Sequence, residues 1–216
     1  MDRLPLFPLR VVLFPHNTMP LHVFEERYKL MIGRCLDENA PFGVVLIRSG
    51  DEVGGPAEPY AVGTTARCSR VQRMPDGRMN LLVFGDRRFR IHDVDRSQPY
   101  LAGDVEFLES ESTATPEAAA AAERVSALFD EHYRLVMAVT DQWVRQVDLP
   151  RDAGRLADFV AGHIDVPAET KQELLETLSV PARLGREAEL LGDCIRRLSG
   201  RWREKQRRKF AGAVLN

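Results

Sequence analysis

The sequence predicts an α+β protein: a mostly antiparallel β half carrying one helix, then an α-helical half. Three observations carry this. Residues 1–109 hold about six short apolar runs with strand-like patterning, separated by Pro, Gly and Asp turn signals. Residues 109–117, ESESTATPE, are polar and without apolar period, which marks a boundary. Beyond Pro116 the apolar positions recur at helical three-four spacing. The expected domains are residues 1–112 and residues 113–216.

The β half opens on Leu4-Pro5-Leu6-Phe7-Pro8-Leu9 and Val11-Val12-Leu13-Phe14-Pro15. Proline cannot donate to a ladder, so Pro5, Pro8, Pro15 and Pro20 predict short extended pieces, broken or bent at each proline. From Phe24 the apolar positions Phe24, Tyr28, Leu30, Met31 and Leu36 approach helical spacing, with Glu25 and Glu26 suited to the positive end of the dipole. That helix should stop near Asn39-Ala40-Pro41, because the residue before proline leaves the α region.

Phe42–Ile47 is a continuous apolar run, expected as a strand buried on both faces. Residues 49–59 read as a surface loop. Residues 60–74 alternate until Arg70, where the phase reverses and a bulge is expected. Pro75-Asp76-Gly77 supplies a turn and Met79–Phe84 a return strand, the best hairpin in the chain. Gly85-Asp86 is read as a bend before a further strand around Phe89 and Ile91, and Tyr100–Leu108 as the last strand.

In the helical half, Thr115-Pro116 reads as N-cap and first helical position. An apolar stripe that includes Val125, Phe129 and His132 runs to Val139, and His132 is expected as a satisfied core-edge histidine. Asp141–Pro150, with Trp143, reads as a linker. A second helix covers 151–164, a short third follows Pro167, and a fourth starts near Ala182. The fourth has a seam of Leu184, Ala188, Leu191, Ile195, Leu198 and Trp202 at heptad spacing, read as packing within this half. Its end, Arg201–Phe210, is basic with aromatics interleaved, and reads either as a solvated helix end or as a contact for RNA, an acidic partner or a membrane surface.

Composition narrows function. The 216 residues are 44% hydrophobic and 29% charged with a formal net charge of -2, so global charge favours neither nucleic acid nor membrane. No apolar run approaches the roughly 20 residues of a spanning helix, and Asp2-Arg3 before a proline-broken run is unlike a signal peptide. A cytoplasmic location is expected. Cys35, Cys68 and Cys194 are widely spaced and read as buried reduced thiols. No spacing among them and His16, His22, His92, His132 and His163 suggests a metal or a catalytic constellation. The expectation is no catalytic residue, no metal and no cofactor.

L-P-L-F-P-L-R-x-V-L-F-P followed by M-P-L-x-V-F-E-x-R-Y resembles the opening of the Lon N-terminal domain, the substrate-binding part of the Lon ATP-dependent proteases, which also occurs alone in small bacterial proteins. The likeness continues through A-V-G-T-x-A-R, V-Q-R-M-P-D-G-R and V-F-G-D-R-R-F-R-I. It continues in the helical half through G-R-L-A-D-F-V-A-G-H-I and K-Q-E-L-L-E-T-L-S-V-P-A-R-L, so that it covers roughly residues 3–200. It implies a pseudo-barrel similar to PUA domains and a role in binding polypeptides. No G-x-x-x-x-G-K-[ST] phosphate loop occurs up to Asn216, so the expectation is a stand-alone member without the ATPase and peptidase modules, and no enzyme.

The resemblance further implies unfolded or degron-bearing polypeptides as partners, with a protease or chaperone to receive them in protein quality control. Phe14, Pro15 and Met19 are the candidate polypeptide-binding residues, on what should be a loop; the competing reading of these three is core or strand-edge packing. The alternative function is an RNA-binding PUA-like protein. Arg67, Arg70, Arg73 and Arg78 flank the hairpin, but with few aromatics to stack bases.

Overall fold

The computed structural model describes residues 2–55, 57–111, 115–143 and 147–213, with side chains as far as Arg208. The elements are β1 (Asp2–Leu9), β2 (Thr18–Val23), α1 (Glu26–Asp37), β3 (Phe42–Gly50), β4 (Ala57–Arg73), β5 (Met79–Asp95), β6 (Leu101–Leu108), α2 (Pro116–Val139), α3 (Ala153–His163), α4 (Ala168–Glu176) and α5 (Val180–Ala213). They form two compact units: residues 1–111 with 167–178, and residues 112–166 with 179–216.

The first unit is a six-stranded sheet in the order β2-β5-β4-β3-β1-β6, closed into a barrel because β5 also pairs with β6. Only β1 and β3 run parallel. The prolines of β1 do not break it. Residues Asp2–Leu6 pair with β6 and residues Leu6–Leu9 with β3, so β1 changes partner at Leu6. Each half is therefore an edge on one side, where a residue without an N–H is tolerated.

The second apolar run differs from expectation: residues 11–15 form no strand, although Val12, Leu13 and Phe14 are buried. Side-chain and backbone bonds from elsewhere hold it as a loop. Thr64 Oγ1 donates to the Leu13 carbonyl at 2.6 Å, and the His16 amide donates to the Gly85 carbonyl at 2.7 Å. His16 itself has φ 62° and ends the run.

β5 is one strand of 17 residues rather than two with a bend at Gly85-Asp86. β4 is equally long and carries the expected bulge, a register shift between Cys68 and Arg70, with another between Thr64 and Ala66. The β4–β5 turn is fixed by Asp76, which accepts from the Arg78 amide at 3.1 Å. That bond, with the Arg78 guanidinium, holds the Asp76 carboxyl below its usual range.

Two apolar clusters fill the barrel. α1 buries Tyr28, Met31, Ile32 and Cys35 against Phe7, Phe42, Leu81 and Val83, with Phe7 and Tyr28 ring centroids 4.2 Å apart. Phe24 and Leu30, expected on that stripe, are exposed instead. At the other end Phe89 packs with Leu4, Leu6, Val45 and Val105. Its ring fits because Gly43 and Gly63 face it; a Cβ there would stand 2.6 Å and 2.7 Å from Phe89 Cζ.

α4 belongs to this unit, although its sequence lies among the helices of the other half. Leu174 and Leu175 are buried, and Gln172 Nε2 donates to the Val62 carbonyl at 2.9 Å. The buried Arg88 donates from Nε to the Leu175 carbonyl at 3.0 Å, and the Glu111 amide to the Leu178 carbonyl at 3.1 Å. Backbone carbonyls at the end of α4 thus find their donors on the β unit.

The second unit contains α2, α3 and α5. α2 starts as predicted: Thr115 accepts from the Ala118 amide, with Pro116 at the first position. Asp152 caps α3 by accepting from the Arg155 amide. The α5 seam is buried at Leu184, Ala188 and Leu191 and reaches the surface by Trp202. Between α3 and α5, Arg183 and Asp158 form a buried ion pair at 3.4 Å, with Glu187 also enclosed. Removing one member of such a pair costs about 3–5 kcal/mol, because the other charge stays buried.

Candidate functional site: an exposed apolar face of the β unit

β2 stands at the end of the sheet and pairs only with β5. Residues directly opposite one another share a face, so the register lays out the surface in rows. Thr18, Phe84 and Arg67 form one row, Pro20, Leu82 and Arg70 the next, and His22, Asn80 and Gln72 the third. The alternate residues, Leu21, Val23, Leu81 and Val83, fill the core. The outer rows therefore put apolar side chains in water: Phe84 is 38% exposed, Pro20 is exposed and Leu82 half-buried.

Aromatic contacts extend this surface at both ends. The His16 ring stands 6.2 Å from Phe84, and His22 stacks on Phe24 at 5.8 Å. His22 Nδ1 is held 2.7 Å from Asn80 Oδ1, which fixes its ring under Phe24. Phe24 is 45% exposed. Beyond it, exposed Val11 and Val53 sit on loops tied to the start of α1 and to one another. The Gly54 amide donates to Glu25 Oε2 at 3.1 Å, and the Arg10 amide to Glu52 Oε2 at 3.3 Å.

The loop that supports this face is pinned at Gly85. The Gly85 amide donates to the Asn17 carbonyl at 2.9 Å, and a Cβ at Gly85 would collide with the Phe14 carbonyl. Of the three residues expected to bind polypeptide, Phe14 is fully enclosed and Pro15 is buried. Met19 is half-buried and packs against the core. These residues hold up the face. The side chains offered to solvent are Pro20, Phe24 and Phe84, which sequence reasoning missed. The available signal was the run Leu81-Leu82-Val83-Phe84, apolar on both faces of a strand that needs only one for the core.

Arg67 and Arg70 border the face. Arg67 Nη1 donates to the Asn39 carbonyl at 2.9 Å. Burial pushes the Cys35 thiol up to about 11, with Cys68 and Glu38 adding, and burial also raises Cys68. Both are thus held as protonated thiols at neutral pH. Among the described residues no cluster of three or more His, Cys, Asp or Glu could hold a metal ion. No described helix is long and apolar enough to cross a membrane.

The β unit is thus a closed barrel with an appended edge strand and an exposed apolar face. The family is shown by comparison. The family described as the ATP-dependent protease La (LON) substrate-binding domain matches residues 3–193, and the chain belongs to that family. It is 33% identical over 191 residues to the Lon protease of Anaeromyxobacter dehalogenans, covering 87% of this chain and 23% of that protein. Lon protease 2 of Myxococcus xanthus is 32% identical over the same length and shares. The chain thus spans about a quarter of the length of the curated relatives it matches.

Among solved structures, the Lon N-terminal domain protein from Xanthomonas campestris superposes with a TM-score of 0.63 at 28% identity, over 86% of this chain and 96% of that one. The N-terminal domain of Mycobacterium avium complex Lon protease has a TM-score of 0.66 at 20% identity, over 89% and 99% respectively, which bears on the fold alone.

Proposed function

We propose that this chain is a polypeptide-recognition module that acts by binding and not by chemistry, taking unfolded or degron-bearing segments on the outer face of β2 and β5. The observation that carries the reading is the set Phe84, Leu82 and Pro20, apolar and wholly or partly in water on a sheet whose other side supplies the core, with exposed Phe24 stacked on His22 beyond the next row. Such a patch on a soluble domain costs free energy unless a partner covers it. An extended segment offers alternate apolar side chains at the spacing of the rows. Pro20 removes an N–H from β2, which guards the open edge against pairing with another copy. Family membership supports the same reading. We place the role in cytoplasmic protein quality control, as an adaptor that delivers its cargo to a protease or chaperone.

The test uses reduced, carboxymethylated α-lactalbumin, a permanently unfolded probe, and the full chain. Phe84→Asp should weaken binding at least tenfold with the thermal melt unchanged, and binding should persist in high salt. Binding that vanishes in salt and is matched by single-stranded RNA would move the assignment to the arginines of β4.

A further inference from the structure

The helical unit holds a feature that the β-unit reading does not use. Between α2, α3 and α5 lies a cavity of about 360 Å³. Val136, Val139 and Leu198 give it apolar walls. His132, only 5% exposed, lines it, and its Nδ1 is enclosed without a hydrogen-bond partner. The expectation of a satisfied histidine is therefore not met. Arg197 and Arg201, one turn apart on α5, also line the cavity, and Arg197 Nη2 is 3.1 Å from Cys194 Sγ. Asp165 shares the lining and disfavours a carboxylate inside.

From this cavity α5 continues as a cationic rod. Residues 196–208 contain seven Arg and Lys and one carboxylate, Glu204, whereas the whole chain has a net charge of -2. Three other arginines of the same unit are paired: Arg134 with Asp130, Arg186 with Glu189, Arg196 with Asp193. Lys205 is held by the base of the unit, donating to the Val139 carbonyl at 2.7 Å and pairing with Asp141 at 2.6 Å. Arg201, Arg203, Arg207 and Arg208 have no carboxylate partner among the described residues. At helical spacing Arg197, Arg201 and Arg208 share one line, about 16 Å long at a rise of 1.5 Å per residue, with Glu204 between the last two.

We propose that the cavity and this arginine line form a second docking surface, whose occupant is a short acidic polypeptide segment with one apolar anchor. The anchor side chain enters between Val136, Val139 and Leu198, and the carboxylates that follow it pair with Arg201 and Arg208. Guanidinium groups bind carboxylates in two-pronged fashion, and an unpaired set with fixed spacing selects for them. Sixteen ångströms matches about five extended residues. The arginine side of the rod has no apolar stripe to sink into lipid. The net negative remainder of the chain repels a long polyanion such as nucleic acid but not a short segment. The inference stands independently of the β-unit reading.

The test is fluorescence anisotropy of a labelled eight-residue peptide, one leucine followed by aspartates and glutamates, against the full chain at low salt. Arg201→Glu with Arg208→Glu should weaken binding at least tenfold, and Val139→Trp, which fills the cavity, several-fold. Arg186→Glu, an equal charge change at a paired arginine, should leave it within twofold. Replacing the leucine by serine in the peptide alters no protein residue and should also cost several-fold, so the anchor is tested even if a variant misfolds. Unchanged affinity in a folded double variant, no binding of the acidic peptide, or tighter binding of a ten-nucleotide oligothymidylate or of phosphatidylglycerol vesicles would each overturn the proposal.

Discussion

The two units solve the problem of polar groups in opposite ways. In the β unit the buried polar side chains act on backbone: Thr64 on Leu13, Arg88 on Leu175, Gln172 on Val62. In the helical unit the buried polar groups meet each other, as Arg183 meets Asp158, or meet no partner, as at His132 Nδ1. A barrel has loops to pin and long-range carbonyls to satisfy, so side-chain donors serve as staples. A helix bundle satisfies its own backbone and leaves side-chain charges to pair across helices. The difference extends to the surfaces: the β unit exposes apolar residues, and the end of α5 exposes unpaired arginines.

The largest effect should come from breaking the tight packing inside the barrel. In Gly63→Val the Cβ would stand 2.5 Å from the Val44 carbonyl and 2.7 Å from Phe89, where neither backbone nor ring can yield. Overpacking there should cost about 3 kcal/mol or more and abolish the cooperative melt of the β unit, read by circular dichroism. Next is Arg183→Met, expected to cost about 3–5 kcal/mol in urea unfolding, because Asp158 stays buried without its cation. Arg134→Met, an exposed i,i+4 pair, should cost well under about 1 kcal/mol and sets the scale.

Gln172→Ala should be smaller, about 1–2 kcal/mol, since it removes one staple from α4 and leaves the Val62 carbonyl without that donor. Amide exchange should rise over residues 168–176 and not over α2.

A further effect is a pH dependence. Burial holds His132 below the usual histidine range; Asp165 opposes this and Arg197 adds to it. The unfolded chain therefore binds this proton more readily than the folded one. Stability should be full above about pH 6.5 and should fall as pH drops through the folded value, by at most about 1.4 kcal/mol per pH unit. His132→Leu should flatten that part of the Tm profile.

Local chemistry was legible in the sequence. The Thr115 and Asp152 caps, the end of α1 and the bulge near Arg70 follow from side chains within a few residues of each event. What was not legible depends on partners distant in sequence. Pro5 and Pro8 suggested breaks because nothing local shows that β1 changes partner at Leu6. Gly85 suggested a bend because the residue it accommodates, Phe14, is 71 positions away. α4 read as part of the helical half because Gln172 and Leu175 reveal their partners only in three dimensions. The candidate face followed the same rule. Phe14 and Pro15 were visible as apolar residues in a loop, but only the fold shows that they are enclosed while Phe84, on the facing strand, is not.

The most direct measurement of the central claim is amide hydrogen exchange of the full chain with and without the unfolded α-lactalbumin probe. New protection is expected over residues 18–24 and 80–85, with α1 and β3 unchanged. Protection absent from β2 and β5, or confined to the helical unit, would contradict the assignment of the β2–β5 face as the polypeptide site.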